Sequence, residues 1–228
     1  MLYAAQRGFT VLSERAAIPF RFIDPGPLVD GELELIPPAA RHVDDLLAAC
    51  AHAQSRADPQ SPVYTREKVA DFLRAAPGGH QTAHSAAYGS APVYHYWMRL
   101  APVRDSRATG ALPTWGTADP PVRIAGTVGL RIGTTRDLEL YYGHVGYNVF
   151  PPARGNHYAE RACRLLLPVA RAHGMTFLWI TCNPDNRGSR RTCERLGATL
   201  VDVVPIPKEH PFRSRGETAK CRYLVQLI

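Results

Sequence analysis

Residues 145–159 constrain this chain more than any other stretch. Their order, Val-Gly-Tyr-Asn-Val-Phe-Pro-Pro-Ala-Arg-Gly-Asn-His-Tyr-Ala, reads as a strand that stops at a double proline and turns through Arg154 and Gly155 into a helix. An amphipathic helix is expected over about 159–173, with Gly174 as its stop signal. A helix start behind a glycine turn aims several unpaired backbone N–H groups, and the positive end of the helix dipole, at one spot. Such a spot suits a phosphate.

A second segment follows at a fixed distance. Residues 177–182 (Phe-Leu-Trp-Ile-Thr-Cys) form a short apolar run suited to a buried strand. A turn at 183–186 leads into a second helical stretch over 186–198. The first turn resembles the acetyl-CoA-binding element of the GNAT superfamily of N-acetyltransferases, Val-x-Pro-x-x-Arg-Gly-x-Gly-x-Ala/Gly. Val149, Pro151, Arg154, Gly155 and Ala159 fall in register with it, while His157 stands at the second glycine. The second segment resembles the family's Asn-x-x-Ala-x-x-x-Tyr-Glu-Lys-x-Gly-Phe element through Asn186, Ser189, Glu194, Arg195 and Gly197. The resemblance covers about 122–227.

That resemblance implies an α/β (α+β) fold: a mixed central sheet, largely antiparallel, flanked by helices and containing one splayed parallel strand pair. The pair would be about 143–150 and 177–182, its free edges taking the pantetheine arm. The implied cosubstrate is acetyl-CoA, with no metal. Its site would run from Val149 and Phe150 through Arg154, Gly155, Asn156 and His157 to Tyr158 and Ala159. Asn186 and Ser189 would join it from the second helix, and Thr181 and Asn148 would line the cleft.

Catalytic groups are less determined. The family often places a tyrosine acid where this chain has Cys193, which reads either as a thiol acid or as a small buried cysteine. His144 is the best titrating group on the signature strand, with the parity of Gly146 and Asn148, and reads either as the base or as a core histidine. Glu139 is the reserve base. The histidines at 80 and 84 have helical spacing for a metal, but Gly78, Gly79 and Ser85 around them indicate a loop.

The chain has 228 residues, enough for one sizeable core. No run of about 18 apolar residues is present, so no membrane-spanning helix is expected. Five scattered cysteines fit reduced thiols and a cytoplasmic setting better than disulfides or zinc. A formal net charge of +7 invites nucleic acid, yet Arg187, Arg190, Arg191 and Arg195 cluster beside the expected cofactor groove, where CoA brings the negative charge.

Along the chain, 1–31 is expected to be an irregular extension and 32–228 a single acyltransferase domain, with an acceptor side over about 32–121 and a CoA-binding core over about 122–227. Within it, a strand at 33–36, helices over 42–56 and from Thr65, and strands at 93–100, 123–132, 140–150 and 220–227 are expected. The Gly- and Pro-rich stretches 75–92 and 104–121 read as loops. Pro168 should kink the 159–173 helix without ending it. The expected activity is acetyl transfer to a primary amine of a small molecule. Three readings stay open beside it: transfer to a protein N-terminus or lysine, a non-catalytic acyl-CoA sensor, and, last, a nucleic-acid-binding domain. A homodimer is compatible with all of them.

Overall fold

The computed structural model describes residues 20–58, 61–81, 91–101 and 123–227. Strands β1 (Leu28–Asp30) and β2 (Leu33–Ile36) form a hairpin about Gly31, so regular structure starts inside the stretch expected to be irregular. Helices α1 (Val43–Ala51) and α2 (Ala53–Ala57) replace the single helix expected over 42–56. The break is His52, whose extended backbone (ψ 141°) lets its side chain cap α2 by accepting from Gln54 N–H. Helix α3 (Arg66–Ala75) starts where the capping signal placed it, with Thr65 accepting from Lys68 N–H.

Strands β3 (His80–Gln81), β4 (Val93–Leu100), β5 (Ile124–Arg131) and β6 (Val145–Val149) complete an antiparallel sheet ordered β1-β2-β4-β5-β6, with β3 on the free stretch of β4. Helix α4 (Tyr158–Ala172) then leads to β7 (Phe177–Cys182), α5 (Arg187–Arg195), β8 (Thr199–Pro205) and β9 (Ala219–Gln226). The last three strands form a second antiparallel sheet, β7-β9-β8. Mixed α/β architecture with a largely antiparallel sheet between helices is therefore what the sequence forms. Most of the two Gly/Pro-rich stretches, and the expectation at His84, lie outside the described residues.

Two packed layers hold the first sheet. On one face α4 lays a stripe of Ala162, Leu166 and Val169 against Tyr94, Met98 and Leu130, all buried. On the other, α1 and α3 bring Leu46 and Val69 onto Trp97, Ile124 and Phe150. Pro168 does not break α4: the ring faces solvent, so the carbonyl it leaves unpaired can be hydrated.

Two further corrections concern local structure. The expected strand over 140–150 is shorter, because Leu138–Tyr142 coils into a π-helical turn before β6 begins. Strand β8 was not expected. Its Leu200, Val201 and Val203 are exposed, so no buried alternation marks it. The expected single site strand pair is realised as the junction of the two sheets: β6 and β7 touch where His144 N–H donates to the Trp179 carbonyl at 2.6 Å, then part around a cleft.

Candidate active site

The parting of β6 and β7 leaves a cavity of about 210 Å³. Gly146, Tyr147, Thr181, Cys182, Asn186 and Ser189 line it, with Lys220 at its rim. A larger cavity of about 360 Å³ lies on the other side of β6, under α1 and α3 and over β4 and β5. Gly146 and Tyr147 border both cavities. A molecule in one therefore meets a molecule in the other at the middle of β6, which is the geometry group transfer needs.

The two motifs converge on this cleft. Tyr147 of β6 shares a hydrogen bond with Ser189 Oγ of α5 at 2.9 Å, and the Asn186 side chain caps α5 by accepting from Ser189 N–H at 3.0 Å. At the far end of α5, Arg195 meets His157 at the start of α4, Nη1 to Nε2 3.0 Å. The turn before α4 has the backbone of an anion cradle. Gly155 has φ +91°, and a Cβ there would meet nothing within 4 Å. His157 is at φ +57°, the only non-glycine residue with positive φ among those described. Left-handed backbone is where a glycine costs least and histidine is among the better-tolerated substitutes, so His157 keeps the turn's conformation in place of the family's glycine. Arg154 is drawn back from the turn, donating from Nε to the Val149 carbonyl at 3.0 Å and pairing with Asp58 at 2.7 Å.

Other expected site residues are placed differently. Phe150 is fully buried in the α1–α3 core, edge-on to Tyr64, and presents no side chain to a cofactor. Tyr158 is buried too, with Arg161 5.5 Å over its ring, so only its backbone N–H belongs to the helix start. Asn156 folds back to donate to the Ala153 carbonyl at 3.1 Å. Thr181 lines the cleft, but its hydroxyl donates to the Tyr141 carbonyl at 2.7 Å. Asn148 sits two ladder steps from Gly146, with a buried Oδ1 that has no hydrogen-bond partner among the described residues.

Of the two readings open for each of His144 and Cys193, the geometry favours the structural one. His144 is wholly buried and both ring nitrogens are used: Nδ1 accepts from Trp179 N–H at 2.8 Å and Nε2 donates to the Gly133 carbonyl at 2.8 Å. It is the clasp between the sheets. Burial pushes its pKa down to about 4; the bond to Gly133 opposes this and the Arg131 charge adds to it. Because the folded pKa lies below the unfolded value of 6.5, the unfolded chain takes up the proton first. The clasp's stability is thus full above about pH 6.5 and is lost as pH falls toward 4, by ~3 kcal/mol. Denaturant titrations at pH 7 and pH 4.5 should show that loss. His144→Gln should be less stable at neutral pH and lose less on acidification, and an unchanged acid dependence would remove His144 as its source.

Cys193 is also wholly buried and does not reach the cleft; Cys182 does. Cys193 hydrogen-bonds to Cys182, and that bond together with burial pushes its thiol up. Cys182 goes the other way, lowered by the Cys193 bond and by Ser189, Lys220 and Arg190 against the cost of burial.

Two groups that pattern reading passed over stand in the better places. Tyr147 carries its phenol between the strands, and burial raises it well above its usual value, so it holds its proton. His95, on β4, lines the larger cavity. Its Nε2 meets Gln81 Oε1 at 3.2 Å, which assigns the proton to Nε2 because the amide oxygen only accepts. Its Nδ1 lies 3.7 Å from where a Cβ on Gly129 would be, beside the glycine hollow in the cavity floor. Burial first, then the charges of Arg131 and His80, push His95 down to about 4. The one clue in the sequence was the row of glycines at 126, 129, 143 and 146.

A profile described as "Acetyltransferase (GNAT) domain" matches residues 32–199, most of the chain. The chain belongs to the GNAT acetyltransferase family. Solved structures agree on the fold. The microcin self-immunity acetyltransferase MccE, solved with acetyl-CoA and AMP, superposes with a TM-score of 0.57 at 15% identity over 86% of this chain and 93% of its own. The ribosomal alpha-N-protein acetyltransferase RimL in complex with coenzyme A gives 0.57 at 15% identity, over 88% and 98%. A GNAT-family acetyltransferase from Bacillus anthracis gives 0.53 at 12% identity, over 89% and 99%. No curated protein matches the chain by sequence. Among the described residues no helix is long and apolar enough to cross a membrane, and no group of three or more His, Cys, Asp or Glu is arranged to hold a metal ion.

Proposed function

We propose that this GNAT protein transfers the acetyl group of acetyl-CoA to a primary amine of a small molecule, directly, within a ternary complex. One observation carries this reading: two cavities on opposite sides of β6 share Gly146 and Tyr147 as a common border. Acetyl-CoA lies in the β6–β7 cleft with its pyrophosphate at the Gly155 turn and the start of α4, where backbone N–H groups of Tyr158 and Ala159 face it. Asn186 and Ser189 flank the pantetheine arm. The acceptor enters the larger cavity from the α3 side.

In this scheme His95 takes the proton from the acceptor ammonium. The neutral amine attacks the thioester carbonyl, whose developing oxyanion is stabilised by backbone N–H groups of β6. Collapse expels the CoA thiolate; Tyr147 gives it a proton and is reprotonated by the one the nitrogen sheds as the amide forms. A phenol held protonated suits that step better than the buried Cys193.

Calorimetry with acetyl-CoA, followed by thiol release against an amine panel, tests the reading. Binding at micromolar concentration with amine-dependent release supports it; binding without release from any amine makes the protein an acyl-CoA sensor instead. The division of labour between Tyr147 and Cys193 is checked separately. Tyr147→Phe should lower kcat by roughly a hundredfold. Cys193→Ala should keep kcat within about threefold while lowering stability by about 1 kcal/mol, the scale of one small buried group. Equal losses in kcat would return the acid role to the thiol.

A further inference from the structure

The larger cavity carries information about its occupant. Its charged or titratable side chains of basic type are Lys68, His95 and Arg131, and no Asp or Glu is among the described residues that line it. Its walls are otherwise apolar and aromatic, with Phe72, Tyr64 and Trp97. A bare cationic amine gains nothing from such a lining. A molecule that brings a negative charge with its amine does.

Strand register shows where that charge would sit. His95, Gly129 and Gly146 are paired across β4, β5 and β6, so one row of the floor has a side chain only at His95. Arg131 fills part of the space the glycines leave: a Cβ built on Gly146 would lie 3.2 Å from its Nη1 and 3.3 Å from its Nη2. The guanidinium therefore lies over Gly146, at the border between acceptor cavity and cofactor cleft. Backbone carbonyls hold it there, Nη1 donating to Gly143 at 3.0 Å. A guanidinium fixed in orientation is a planar fork that matches a carboxylate.

We propose that the acceptor is a free amino acid, with its α-carboxylate on Arg131, its amine toward His95 and an apolar side chain against Phe72 and Trp97. The inference rests on the acetyltransferase reading above and narrows it. Arg131 and the transfer point share Gly146, so the anionic group and the reacting nitrogen must be only one or two bonds apart. An α-amino acid satisfies that. A lysine side-chain amine stands too far from its own carboxyl group, and a peptide N-terminus has an amide where the carboxylate is needed. Lys68, exposed at the α3 side, adds to the field that draws an anion in.

The test is a binding comparison that does not need turnover. The protein, saturated with free CoA, is titrated with phenylalanine, tryptophan, leucine and methionine, each against its own amide. At least one acid is expected to bind about 10- to 100-fold tighter than its amide, the worth of a hydrogen-bonded charge pair. Arg131→Gln should erase that preference and Arg131→Lys should restore part of it, with the affinity for CoA serving as the folding control. The wild-type comparison stands even if a variant fails to fold. Amides binding as tightly as acids, or none of the four acids binding while CoA does, overturns the proposal. Thiol release from acetyl-CoA then separates the two claims. Acids that bind preferentially without releasing thiol leave the anion site standing and remove the transferase reading; acids and amides turned over alike do the reverse.

Discussion

Replacing Gly155 by glutamate is expected to weaken acetyl-CoA binding by at least about a hundredfold, since each hydrogen bond to a charged group lost at the turn contributes about 1.5–3 kcal/mol. Two effects act together. Gly155 has φ +91°, where any other residue is strained by roughly 1–2 kcal/mol. The space a Cβ would enter is open in this structure, and it is the space the phosphates are proposed to occupy. Glutamate puts a carboxylate there, so attraction between the α4 start and the pyrophosphate becomes repulsion. Gly155→Ala separates the terms, since it carries the strain without the charge, and its affinity should fall by no more than about thirtyfold, the most that ~1–2 kcal/mol of strain can cost. Calorimetry on the two variants reads both. A glutamate variant that binds acetyl-CoA like the wild type would show that the phosphates lie elsewhere.

The turn proposed for the cofactor was legible as a backbone shape because its signals are local. A double proline, a glycine and an N-cap determine which N–H groups point outward, and a histidine in left-handed backbone preserves the shape. Helix α5 was legible for the same reason, through the cap that Asn186 supplies. The groups proposed as catalytic were not, because they depend on register between distant strands. His95 comes next to Gly129 and Gly146 only once β4, β5 and β6 pair, and no spacing along the chain announces that row. Parity put His144 with Gly146 and Asn148, but β6 begins at Val145 and the ring before it turns into the junction of the sheets. Tyr147 has the opposite parity, so reading one face of the strand passed over the residue that occupies the cleft. Aligning Cys193 with the family's tyrosine kept the position, but the thiol there is wholly buried and bonded to Cys182, and the phenol proposed as the acid comes from β6. Strand β8 was missed because an exposed edge strand of Leu and Val has no buried face to set its alternation.

His95→Gln is expected to lower kcat/KM by roughly a hundred- to a thousandfold, the usual contribution of a positioned proton acceptor, while leaving acetyl-CoA affinity within about threefold. The pH dependence makes the test specific. In the free protein the His95 pKa is down at about 4, for burial, the Arg131 charge on the neighbouring strand and His80 on β3 all disfavour the imidazolium. Gln81 and the edge of Phe72 also meet the ring and carry no charge. The ring is therefore neutral and competent across pH 5–9, and the profile of kcat/KM should rise until the acceptor amine itself loses its proton, with no limb near 6.5. A carboxylate bound on Arg131 cancels part of the charge that depresses His95, so its pKa rises in the complex. The acid limb that His95 contributes to kcat should accordingly lie at higher pH than the one it contributes to kcat/KM. Binding an acidic acceptor would thus strengthen the base that must deprotonate it, coupling substrate choice to catalysis through one guanidinium. Wild-type kcat/KM in His95→Gln between pH 5 and pH 9 would place the base elsewhere. Loss of rate with no displacement between the two limbs would keep the base and break its link to Arg131.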